Sequence, residues 1–208
     1  MRFVLGLVAL LWAAPLVAQR NDVQLQVATP VAAAVTEGPI VTTNGLLADP
    51  NTREILRAGF ATKIQYRVEL WRKGRIFDNL TSQVLWDVTV YMNPTDQLYH
   101  VIRRSSNQLE DFGAFATVTT AESQFGQPFR APIHPTRSGR YYYMLHVEVQ
   151  PMQESDLDAL LEWARGPTSP ANNGIVLALR GGVGRLMSRI LGGDKQQYDV
   201  RSGIFSVP

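Results

Sequence analysis

No cysteine occurs among the 208 residues. That excludes disulfides, thiolate metal sites and cysteine nucleophiles together, so the fold must hold by packing alone even in an oxidising compartment. Histidine is almost as scarce. The three present, His100, His134 and His146, include no pair at the spacing of metal ligands on one element. An excess of either charge is also missing, with 20 basic against 18 acidic side chains. A nucleic-acid-binding domain would carry a clustered basic face, so nucleic acid is not expected as a partner. The apolar run from Phe3 to Ala14 is too short to span a bilayer, which takes about 20 residues.

That run has a different use. It follows Met1 and Arg2 and precedes Pro15, Leu16, Val17, Ala18 and Gln19, which is the layout of a signal peptide with its cleavage site after Ala18. No cysteine follows to carry a lipid anchor. Residues 1–18 are therefore expected to be a leader, 19–208 a single β-rich domain, and the location the periplasm or cell envelope. Losing Arg2 leaves 19 basic against 18 acidic side chains.

The mature chain shows period-two alternation in several places. Val23, Leu25 and Val27 alternate with polar residues, and a Pro- and Ala-rich link follows. After an apolar stretch from Ile40 to Leu47, Asp49 and Pro50 stand at an N-cap and first helical position, and Gly59 stands where the helix would stop, predicting a helix over 50–58. Ile64, Tyr66, Val68 and Leu70 share one face of a strand over 62–72, ending in a Lys73-Gly74 turn. Val84, Trp86, Val88, Val90 and Met92 make a second strand, closed by Asn93-Pro94 and paired as a hairpin with 98–103. Tyr141, Tyr143, Leu145, Val147 and Val149 face inward on a third strand, with Tyr142, Met144, His146 and Glu148 outward.

Strands with one polar face are the habit of antiparallel sheets. The expected fold is mainly β, an antiparallel immunoglobulin-like β-sandwich with short helices. A C-terminal helical region is expected over 155–191, in two pieces, and a weaker helix between Leu109 and Glu122. Glu110-Asp111 and Asp156-Asp158 read as carboxylates at helix starts.

In order, GLLADPNTREILRAGFATKIQYRVELWRKGRIFD, VLWDVTVYMNPTDQLYHVIRR and RYYYMLHVEVQPM resemble domain of unknown function 4390, a family of exported bacterial proteins. The resemblance runs from about Val23 to Met152. It departs where Arg75, Ile76 and Phe77 stand in place of a Trp-rich stretch, and again in the last quarter of the chain. It implies an envelope protein without an assigned activity. In some relatives the gene adjoins that of a membrane sensor kinase, so the resemblance also implies an accessory role in envelope signalling.

No sequence pattern carries catalysis. The run from Arg180 to Arg185 is glycine-rich but lacks the Gly-Lys-Ser/Thr ending of a phosphate loop, and no Gly-x-Ser-x-Gly elbow occurs. No cofactor is expected. His100 and His146 lie on strands that could bring them together, and His134, beside Pro132 and Pro135, reads as a loop residue. Arg67, Glu69, Arg72, Lys73 and Arg75 line the 62–72 strand and its turn, where cations on an exposed edge discourage aggregation. With the outward Tyr142, the residues Arg67, Glu69, Arg72 and Lys73 form the expected partner-binding surface. Arg180, Arg185 and Arg189 are the basic side of an amphipathic stretch over 175–191 that would suit a membrane surface.

The function expected is a non-catalytic, protein-binding or signalling-accessory module whose partner is another envelope or membrane protein. The alternatives are a membrane-surface or lipid-binding module using 175–191, and a hydrolase with a site assembled from separate strands.

Overall fold

A computed structural model describes residues 24–28, 37–106, 108–152 and 195–208. The expected leader, the stretch over 155–191 and its Arg180, Arg185 and Arg189 lie outside the described residues. The elements are β1 (Gln24–Ala28), β2 (Ile40–Asn44), α1 (Pro50–Arg57), β3 (Thr62–Arg72), β4 (Asn79–Met92), β5 (Tyr99–Ser105) and β6 (Gln108–Phe115), then α2 (Val118–Phe125), β7 (Phe129–Arg130), β8 (Gly139–Pro151), β9 (Gln196–Arg201) and β10 (Phe205–Val207).

Two antiparallel sheets result. The smaller has the order β1-β2-β7, and the larger β10-β8-β3-β4-β5-β6 with β9 also on β8. β9 and β10 divide the same edge of β8, pairing Met144 to Val149 and Gly139 to Tyr141 respectively. Between them Ser202 donates its amide to Tyr143 O and accepts the Tyr143 amide on its hydroxyl. The chain is mainly β as expected, and the β4–β5 hairpin forms.

Alternation sets the core. The inner residues of β3, β4 and β8, including Ile64, Val68, Leu70, Val88, Val90, Tyr143 and Leu145, are almost wholly buried. Each such aliphatic side chain withdrawn from water contributes about 1.5–3 kcal/mol. They are covered by Val41 and by Leu46, Leu47, Leu56, Ala121 and Phe125 from α1, α2 and their flanks. Tyr66 stacks on Trp86 at 5.0 Å, and Phe129 of the small sheet tilts against Trp86 at 4.9 Å.

α1 begins and ends on the residues that predict it. Asp49 Oδ2 accepts the Thr52 amide at 2.8 Å, and Pro50 sits in the first turn. At the far end Gly59 has φ +85°, and the Phe60 and Gly59 amides donate to Ile55 O and Leu56 O. Those bonds satisfy carbonyls left over by the last turn, a closure that favours glycine.

Three expectations need correction. The helix expected between Leu109 and Glu122 is strand β6 in its first half, and α2 starts only at Val118, capped by Thr117. Glu110 and Asp111 are therefore strand residues, and Glu110 pairs with Arg103 across β5–β6. β3 is not an exposed edge: it lies between β4 and β8, and its Lys63 is buried.

Candidate functional site

Because β3 is central, its outward side chains meet those of both neighbours. Strand register sets them in rows across the outer face. One row runs Gln197, Glu148, Gln65, Asp87, Arg104, and the next Asp199, His146, Arg67, Leu85. Partners in register lie about 5 Å apart, close enough for side chains to bond. These residues line an open groove of about 810 Å³, within the size range of ligand pockets.

The charges of the groove are mostly satisfied internally. Arg104 Nε meets Asp87 Oδ1 at 3.1 Å, and Lys195 Nζ meets Glu148 Oε1 at 2.6 Å. Gln197 also donates to Glu148 at 3.2 Å. His146 stands between two carboxylates: Nδ1 lies 2.5 Å from Asp199 Oδ1 and Nε2 lies 3.3 Å from Glu69 Oε2. Glu69 is itself buried, and it also holds Arg67 Nε at 3.1 Å and the Trp71 indole N–H at 2.8 Å. The side-chain amides of Gln65 and Gln83 make no hydrogen bond to the described residues, and Leu85 stays 55% exposed. The groove thus offers amide donors and acceptors around an apolar floor residue rather than concentrated charge of one sign.

Alongside the groove, Tyr142 faces outward as its alternation requires, but its ring is covered. Arg201 lies over it at 3.8 Å, and Trp71 stacks parallel to it with centroids 6.4 Å apart. Its hydroxyl donates to Asp78 Oδ2 at 3.1 Å. Burial raises the Tyr142 pKa, with the Asp78 contact adding to the effect. Lys73 holds the Asp78 carboxyl below its ordinary range.

Of the partner surface expected from sequence, Arg67 lies in the groove and Glu69 beneath its margin. Tyr142 is packed, Arg72 donates to Ser138 O at 3.0 Å, and Lys73 pairs with Asp78 at 3.1 Å. His100 and His146 are not brought together. β3 and β4 stand between their strands, and His100 bonds Asp96 at 2.9 Å while stacking on Tyr91. His134 is an exposed loop residue. Asp199, Gln197, Gln65, Gln83 and Leu85 were not singled out by sequence reasoning. Alternation alone could have placed Gln65 and Leu85 on this face, but nothing local marks Asp199 as the partner of His146.

Among the described residues no cluster of His, Asp and Glu has metal-site geometry. None of their helices is long and apolar enough to cross a membrane. No family model, no curated protein and no solved structure matches the chain.

Proposed function

We propose that the protein is a non-catalytic binding module of the cell envelope, exported by its leader, whose outer groove receives an extended segment of another envelope or membrane protein. The observation that carries the reading is the pair of side-chain amides, Gln65 and Gln83, that meet no partner among the described residues and lie on either side of the exposed Leu85. Extended backbone presents alternating donors and acceptors, which carboxamides can meet from either side. Rows spanning five strands at about 4.8 Å each give a floor near 19 Å, which matches about six extended residues. Neutralisation of the groove's arginines by Asp87 and Glu69 disfavours a highly charged ligand.

On this reading the chain belongs with the exported proteins of domain of unknown function 4390, and an accessory role in envelope signalling follows. We extend the mainly-β architecture to an immunoglobulin-like sandwich. Its support is one core shared by two antiparallel sheets, though they divide as three strands against seven, more unequally than immunoglobulin sheets do.

The hydrolase reading comes second. Its support is that Glu69, His146 and Asp199 meet beside the groove. A general base needs a ring nitrogen free to take the nucleophile's proton, and here both nitrogens already face carboxylates.

The test is a photoreactive residue at Leu85 in cells, with Thr136 as the control position. The expected result is one envelope protein joined through a short segment at Leu85 only, and lost when Gln65 and Gln83 are both changed to Ala. Equal products from both positions, or none at Leu85, would overturn the proposal. Hydrolysis of peptide or ester substrates that disappears in His146→Ala would put the enzyme reading first.

A further inference from the structure

The β3–β4 hairpin ends in a tip, residues 73–78, that displays two large apolar side chains to solvent. Ile76 is 84% exposed and Phe77 79%, well above the other exposed apolar residues. One exposed apolar residue is ordinary, but adjacent ones at a projecting tip mark a surface that something covers.

This tip is built rather than loose. Asp78 accepts the Gly74 amide at 3.2 Å, Lys73 Nζ at 3.1 Å and the Tyr142 hydroxyl at 3.1 Å. A side chain at Gly74 would lie 1.8 Å from Phe77 O, so the loop closes only around glycine. The fold therefore spends several interactions on holding Ile76 and Phe77 outward.

Around them stands a collar of cations. The Lys73 amide donates to Arg140 O and Arg72 to Ser138 O, which brings residues 137–140 beside the tip. Arg72, Lys73, Arg75, Arg137 and Arg140 are all exposed there. Asp78, the carboxylate that shapes the tip, is already paired with Lys73. Arg75, Arg137 and Arg140 meet no carboxylate among the described residues.

An apolar wedge inside a basic ring is complementary to the boundary of an anionic bilayer, where acyl chains lie just beneath negative headgroups. We propose that this tip docks the protein on an anionic phospholipid surface, with Ile76 and Phe77 entering the acyl boundary and the collar contacting phosphates. The tip shares no residue with the groove, and it does not depend on the groove's occupant.

The test is flotation of the chain without residues 1–18, at low salt, with vesicles of phosphatidylglycerol and phosphatidylethanolamine or of phosphatidylcholine alone. Binding is expected to the anionic vesicles only. A double Ile76→Ser, Phe77→Ser variant should lower the bound fraction at least tenfold with an unchanged circular dichroism spectrum. A triple Arg75→Gln, Arg137→Gln, Arg140→Gln variant should weaken binding and flatten its salt dependence. The proposal is overturned if the native chain stays unbound, if the Ser variant floats as well as the native chain, or if binding is lost only on replacing Arg185 and Arg189. It is also overturned if a crosslinker at Phe77 captures an acidic protein while vesicles capture nothing.

Discussion

The hydroxyls of Thr43 and Tyr66 meet at 3.2 Å inside the core, and they belong to different sheets. Burial drives the Tyr66 pKa upward, and the bond to Thr43 offsets only part of that. The contact thus fixes how β2 sits over β3 at a place where apolar packing alone would tolerate sliding.

Tyr66→Phe keeps the ring on Trp86 but leaves a buried Thr43 hydroxyl unpaired, and the expected cost is about 1–3 kcal/mol. Replacing Thr43 with Val in the same chain removes both polar groups and should restore most of that loss. Urea unfolding of the single and double variants checks this. A double variant no more stable than the single would show that the bond is not what joins the sheets.

Glu122 is buried on α2, with Oε1 3.3 Å from the Leu47 amide. Burial raises its pKa above the ordinary 4.5, and the amides of Leu47, Leu46 and Gly45 pull it back only in part. The unfolded chain therefore ionises first as pH rises, and stability owed to the protonated form is lost from about pH 4.5 upward. Glu122→Gln, a neutral acceptor of similar shape, should be more stable than the native chain at pH 7 and gain nothing at pH 4. Glu122→Ala should lose about 1–3 kcal/mol at both, since it strands the amides. Denaturation at the two pH values separates these outcomes.

His146 has carboxylates on both sides, yet they should not matter equally. The Glu69 side chain is 10% exposed and that of Asp199 65%. Asp199→Asn removes a solvated pair and should cost about 0–1 kcal/mol. Glu69→Gln should cost more, about 1–3 kcal/mol, because it weakens the covered acceptor that the Trp71 indole and His146 share. Similar losses for the two variants would mean that the groove margin is more open than its geometry shows.

Two glycines with left-handed backbone separate strain from collision. At Gly59, φ +85°, no atom lies within 4 Å of an added side chain, so Gly59→Ala should cost about 1–2 kcal/mol. At Gly38, φ +79°, the same atom would sit 2.2 Å from Ala131 O and 2.8 Å from Ile133 O. Gly38→Ala should cost clearly more and loosen the β2–β7 junction. Thermal midpoints of both variants make the comparison.

Where periodicity is strong the sequence was enough: β3, β4 and β8 follow their alternation, and α1 follows Asp49, Pro50 and Gly59. β6 escaped because its acidic pair resembles a helix start, and because a bulge at Phe112, opposite the step from Val101 to Ile102, breaks the alternation. Nor does alternation say who the neighbours are. β3 looked like an edge for its cations, yet Arg67 pairs with Glu69 and faces His146 and Leu85 across the sheet. The groove was invisible for the same reason, since His146 and Asp199 meet only once β9 folds back on β8.

The place of β3 between β4 and β8 also governs the order of events in folding. β4 joins β3 through a six-residue turn, while β8 joins it only by closing the long stretch that pairs Arg72 with Tyr141 and Thr62 with Pro151. Loop closure of that length is slow beside a hairpin, so the β3–β6 meander is expected to form first, with a raw edge rich in Tyr, Val, Leu and Trp. Pulse-labelled hydrogen exchange should find β3–β4 amides protected before those of β8. In that interval the chain has its own best adhesive strand uncovered, and the yield of native protein depends on how soon β8 arrives.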